Sequence, residues 1–120
     1  MIVLVTGDRN WKDYNVIYRE LSKYPHGTVV FHGAARGADT LADIAAERLG
    51  FKSVPFRAEW HIYGRAAGPI RNQEMLARLL KEEEPKKVLA FHKNIAESKG
   101  TKDMVNRALK VGIDVEIIKG

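Results

Sequence analysis

The sequence predicts an α/β fold: a Rossmann-like three-layer α/β/α sandwich around a five-stranded, mainly parallel sheet with strand order 3-2-1-4-5. Three observations carry that expectation. Short apolar runs at residues 2–5, 28–31 and 88–91 lack the alternation of a half-solvated strand, so they read as strands covered on both faces, as in a parallel sheet. Stretches with apolar residues three and four apart lie between them, so strands and helices alternate. Polar turns rich in glycine follow the first, second and fourth strands, and the strand order puts its switch point between strands 1 and 4.

In chain order, residues 2–5 form the first strand and Thr6-Gly7-Asp8-Arg9-Asn10 ends it. Asp13 is a cap for a helix in which Val16, Ile17, Leu21 and Tyr24 share a face, and Pro25-His26-Gly27 stops it. Residues 28–31 are the second strand. In the next helix Leu41, Ile44, Ala45 and Leu49 recur at helical spacing, and Gly50 closes it. Residues 52–56 form a third strand, which Pro55 demotes to an edge. Residues 57–68 show no period, and an irregular connection of that length in a small domain is more often functional than idle. Gly68-Pro69 then opens a helix with proline at its first position, and Ile70, Leu76, Leu79 and Leu80 face the core. The fourth strand is 88–91. A helix over 101–111 turns Met104, Val105, Ala108 and Leu109 inward, Gly112 stops it, and 113–118 is the last strand.

A chain of 120 residues, 45% hydrophobic and 29% charged, suits one domain over 1–120, with no linker, repeat or low-complexity segment. No apolar run approaches the roughly 20 residues of a bilayer span, so no membrane partner is expected. The start Met-Ile-Val-Leu-Val-Thr-Gly reads as a strand rather than a secretory leader, and there is no cysteine, so a cytoplasmic location is expected. The net charge of +5 suits an anionic partner, yet the basic residues are scattered among acids, as in Lys81-Glu82-Glu83-Glu84-Pro85-Lys86-Lys87.

The site candidates gather on the carboxyl edge of the sheet. His32-Gly33-Ala34-Ala35-Arg36-Gly37-Ala38-Asp39 is a strand-to-helix turn in which two glycines allow close approach, the helix terminus is partly positive, and Arg36 adds a full charge. A tight turn with glycines for geometry alone is the alternative. Ser98, Gly100 and Thr101 begin the last helix, where a hydroxyl either caps the helix or meets a ligand. Thr6, Gly7, Arg9, Arg36, Arg71 and Asn72 complete a set able to hold phosphate or ribose. Trp11 and Trp60 are placed to stack on a base, or to anchor core and loop. His32 and His92 stand about 10 Å apart at strand spacing, so no shared metal is expected, and no cofactor. Neither a nucleophile elbow nor a Walker pattern occurs.

The segments Val5-Thr6-Gly7-Asp8-Arg9-Asn10-Trp11, His32 to Asp39, Glu59-Trp60, Ala67-Gly68-Pro69-Ile70-Arg71-Asn72 and Ser98-Lys99-Gly100-Thr101 resemble, in order, the motifs of the small SLOG-superfamily proteins related to YspA and YpsA. The resemblance spans nearly the whole chain. It implies a Rossmann-like domain that binds a nucleotide or nucleotide-derived ligand, as a sensor or processing domain in bacterial or phage conflict, and a homodimer or higher homo-oligomer. A related branch, the LOG-type phosphoribohydrolases, cleaves the N-glycosidic bond of nucleoside monophosphates with an arginine and a Pro-Gly-Gly-x-Gly-Thr-x-x-Glu motif. Arg71 matches that arginine and Gly100-Thr101 the end of the glycine motif. Ala96-Glu97-Ser98 replaces Pro-Gly-Gly, however, and Met104 stands in place of the glutamate, with Asp103 about 100° away around the helix.

Three functions follow as expectations. The first is binding of a nucleotide-derived, phosphorylated small molecule. The second is N-glycosidic hydrolysis, for which Glu59, Glu74 and Asp103 are the candidate catalytic carboxylates. The third, below both because no basic or aromatic stripe is visible, is single-stranded nucleic-acid binding.

Overall fold

The computed structural model describes residues 1–120. The chain runs β1 (Ile2–Gly7), α1 (Tyr14–Leu21), β2 (Val29–His32), α2 (Ala38–Arg48), β3 (Lys52–Pro55), α3 (Trp60–Tyr63), α4 (Ala67–Lys81), β4 (Lys86–Phe91), α5 (Gly100–Lys110) and β5 (Val115–Ile118), with 3-10 turns at Gly64–Ala66 and Ile95–Glu97. All five strands are parallel, in the order β3-β2-β1-β4-β5. The fold is therefore the expected Rossmann-like one.

β1 shows why its sequence is continuously apolar. Val3 and Val5 enter a cluster with Val16, Ile17 and Leu21 of α1 and the alanines of α2. Ile2 and Leu4 enter a second cluster with Met75 and Leu79 of α4 and Met104 and Ala108 of α5. Both faces of the strand lose contact with water, so each position gains from an apolar side chain. Asp13 caps α1 as expected, its Oδ1 accepting the Val16 N–H at 3.3 Å.

Three helix positions expected to face the core do not. Ile44, Leu80 and Leu109 are 37%, 49% and 56% exposed. Each adjoins a buried residue, Ala45, Leu79 or Ala108, and adjacent residues lie about 100° apart around a helix. In α2 the buried stripe is Ala38, Ala42, Ala45 and Ala46, whose small side chains let the helix sit close to α1 and the sheet.

Boundaries shift for physical reasons as well. α4 begins at Ala67, so Pro69 is its third residue rather than its first. The early N–H groups of a helix have no intrahelical acceptor, and proline is tolerated there. The stretch 57–68 is not irregular throughout, since α3 and a 3-10 turn occupy much of it. β4 starts earlier than expected, at Lys86, and the Lys87 ammonium meets Glu116 of neighbouring β5 at 2.9 Å. β5 starts at Val115 because Ile113 is spent beneath α4 and α5. No helix is long and apolar enough to cross a membrane.

Candidate functional site

The turn between β2 and α2 is folded around one carboxylate. Asp39, in the first turn of α2, sends its side chain back so that Oδ2 accepts the N–H of Gly33 at 2.9 Å and of Ala35 at 3.4 Å. The N–H of Ala34 goes to His32 Nδ1 at 3.0 Å, which leaves the ring proton on Nε2, facing Asp43 at 3.0 Å and Ser53 at 3.1 Å. Ala34 itself holds a left-handed backbone, φ 55°. The turn expected to offer its amides to an anion thus commits Gly33 and Ala35 to its own acid.

Asp39 is nonetheless incompletely satisfied. Its Oδ1 is buried without a hydrogen-bond partner. Burial holds the carboxyl above the usual carboxylate range, against the opposing influence of His32, the two backbone donors and Arg71.

Arg71 closes the floor from α4. Its Nη1 donates to the Gly33 carbonyl at 2.6 Å and its Nε to Asn72 Oδ1 at 3.0 Å, which leaves Nη2 without a partner in the chain. Asn72 spends its amide on the Gly100 carbonyl, 3.3 Å, and on Asp103 Oδ2, 3.0 Å, so it is a strut between α4 and α5. Gly33 is required by this packing. A Cβ there would stand 2.6 Å from Arg71 Nη1 and 3.0 Å from Asp39 Oδ2. Burial draws the Arg71 guanidinium below its usual range, Asp39 offsets part of that, and the nearby charge of Arg9 adds to it.

The other wall is the turn before α5. Ser98 Oγ accepts the N–H groups of Thr101 at 3.0 Å and Lys102 at 3.4 Å, so it caps the helix while keeping its own O–H for another acceptor. Trp60, on α3, closes the rim. Its ring lies against Gly68 and under the Arg9 guanidinium, 5.5 Å from the ring centroid.

Together these elements enclose a cleft of about 700 Å³ at the carboxyl edge of the sheet. Five cations line it, Arg9, Arg36, Arg65, Arg71 and Lys99, against three carboxylates, Asp8, Asp39 and Asp103. Each carboxylate already accepts a hydrogen bond from within the chain.

The cleft gathers Thr6, Gly7, Arg9, Gly33, Arg36, Asp39, Trp60, Arg71, Asn72, Ser98, Gly100, Thr101 and Asp103. Of the other candidates, Gly37 does not line the cleft, and Trp11 is in the core. Trp11 packs edge-on against Phe91, centroids 5.7 Å apart, and its Nε1–H donates to the Asp13 carbonyl. Glu59 and Glu74 are exposed and off the cleft wall. Met104, in the place of the phosphoribohydrolase glutamate, is wholly buried. Asp103 is on the wall after all, where Asn72 and Arg107 Nε, the latter at 2.9 Å, hold its Oδ2.

Sequence reasoning had not singled out Arg65, His92 or Lys99 as ligand residues, although all three line the cleft. Lys99 sits inside a glycine and hydroxyl turn that was itself a signal. Arg65 lies in a stretch without period, and nothing in its sequence context marked it.

Comparison with known proteins agrees with this architecture. A family model described as YAcAr, the YspA, cpYpsA-related SLOG family, matches residues 1–63, which span β1 to α3 and include the turn around Asp39. The Gene 61 protein of Mycobacterium phage D29 is 39% identical over 122 residues, covering 94% of this chain and 92% of that protein. Among solved structures, DNA processing protein A (DprA) from Streptococcus pneumoniae superposes with a TM-score of 0.55 at 16% identity, over 98% of this chain and 58% of that one. At that identity the likeness carries the fold, and this chain spans little more than half the length of that structure.

Proposed function

The chain belongs to the YspA, cpYpsA-related SLOG family, and from that premise we propose that its cleft binds a phosphorylated nucleotide derivative, as a sensor or processing domain. One observation carries the reading. A nucleotide-sized cleft holds more cations than carboxylates, each of those carboxylates accepts a hydrogen bond from the chain, and an indole stands at its rim. The phosphate sits against Arg71 Nη2, Arg9 and the Ser98 hydroxyl, where charge-assisted hydrogen bonds are strongest. The base stacks on Trp60.

Titration calorimetry with AMP, dinucleotides and ADP-ribose tests this. Trp60 is 47% exposed, so Trp60→Ala leaves folding intact, and loss of base stacking lowers affinity about tenfold or more. Absence of heat with all three ligand types overturns the reading.

A hydrolytic role is the second reading, and it turns on Asp103, since this is the member of the carboxylate trio that reaches the cleft. Release of free base from AMP by the purified protein decides it. Assembly as a homo-oligomer, implied by the family resemblance, is read by light scattering.

A further inference from the structure

Beside the cleft, and sharing Arg9, Gly33, Ala35, Arg36, Trp60 and Arg71 with it, lies a second lobe of about 520 Å³ at the carboxyl ends of β2 and β3. Its charged lining is four arginines, Arg9, Arg36, Arg57 and Arg71, with no carboxylate among them. Arg9 and Arg71 are near enough to oppose one another. Asp43, whose carboxyl is held low by Ser53 and to a lesser degree by Arg57, is already engaged by Ser53 and His32. Asp39 offsets part of the charge environment of Arg71, and the guanidinium charge that remains along a wall without a carboxylate favours an anion.

The two lobes cannot be filled by one compact phosphate group. β4, which leads to the Ser98 turn, and β3, which leads to Arg57, are three steps apart across the sheet, or ~14 Å between strand axes at ~4.8 Å per strand. Two phosphoryl groups joined by a single bridging oxygen are far too close together to reach both ends. A nucleoside between them supplies the length, and its base has Trp60, which stands on the wall of both lobes.

Resting on the nucleotide-binding reading, we infer that the ligand carries two phosphoryl groups set apart by a nucleoside, as in a 5′-phosphorylated dinucleotide, with Arg57, the arginine that lines the second lobe alone, receiving the second. Arg57 is then the residue that separates such ligands from mononucleotides.

Calorimetry on the full chain and on Arg57→Gln, with AMP, ADP and the dinucleotide pApA as probes, tests this. Arg57 is exposed, so the substitution leaves the fold intact, which thermal unfolding checks. The wild type is expected to bind pApA about tenfold or more tighter than AMP, with ADP close to AMP, each tenfold corresponding to one good charge-assisted contact. Arg57→Gln is expected to abolish the pApA advantage and leave AMP affinity as it was. Equal affinity of the wild type for pApA and AMP overturns the inference while the nucleotide-binding reading stands. So does an advantage that survives in Arg57→Gln, or one that ADP shares. If none of the three probes binds, the inference falls, and ADP-ribose then decides whether the nucleotide-binding reading falls with it.

Discussion

After β2 the chain turns against its own carboxylate, with Asp39 and Arg71 gripping Gly33 from both sides of the peptide; after β4 it turns through mostly exposed residues, held by a 3-10 turn, the Ser98 cap and the Asn72 bond to the Gly100 carbonyl. Both turns carry glycines and both face the cleft, but the glycines do different jobs. Gly37 has φ 77°, and a Cβ there would run into the backbone carbonyls of Asp8 and Arg9. Gly100 would meet nothing within 4 Å. In the ligand-facing turn after β2, Gly37 is demanded by the chain's own packing. The first turn is a packed floor, and the second is a more exposed wall.

The contrast is broken most severely at Gly37. Gly37→Ala combines a left-handed backbone with a clash against backbone atoms that have no flexible end to move, and it should cost about 3 kcal/mol or more. Urea denaturation reads this directly. A loss below about 1 kcal/mol would show that the floor can relax, and would erase the distinction between the two turns.

Asp39 sharpens the comparison through pH. Burial raises its folded pKa above the unfolded value, so the fold favours the protonated carboxyl. The stability it contributes is present at low pH and is lost as pH rises through the folded pKa. Asn keeps an acceptor for the Gly33 and Ala35 amides but carries no charge. The stability of Asp39→Asn relative to wild type should therefore rise between pH 4 and pH 7. Denaturation curves at the two pH values check the sign, and a flat difference would mean that the donors around Oδ2 fully offset burial.

Much of this fold was legible because burial on both faces writes itself into β1, where Val3 and Val5 serve one layer and Ile2 and Leu4 the other. Strand order and the shared edge of the three turns followed from the same runs. The errors at Leu80 and Leu109 come from apolar residues adjacent to the true stripe, where composition and geometry part. The site was legible as a set of residue types but not as a network. Spacing does not show that Asp39 folds back onto Gly33, or that Arg71 reaches the same peptide from a distant helix. Nor does it tell Trp11, taken into the core by Phe91, from Trp60, left at the rim.

The smallest expected effects fall on the wall after β4, where two substitutions separate capping from glycine chemistry. Ser98→Ala removes the acceptor for the Thr101 and Lys102 amides and should cost about 1 kcal/mol, the usual worth of a cap. Gly100→Ala, at the first residue of α5 with open space around it, should fall within about 0.5 kcal/mol of wild type, because alanine suits a helix better than glycine and nothing is displaced. Thermal unfolding of the two variants side by side makes the test. If Gly100→Ala proved as damaging as Gly37→Ala, the second turn would be as tightly built as the first, and its openness to a ligand would need another origin.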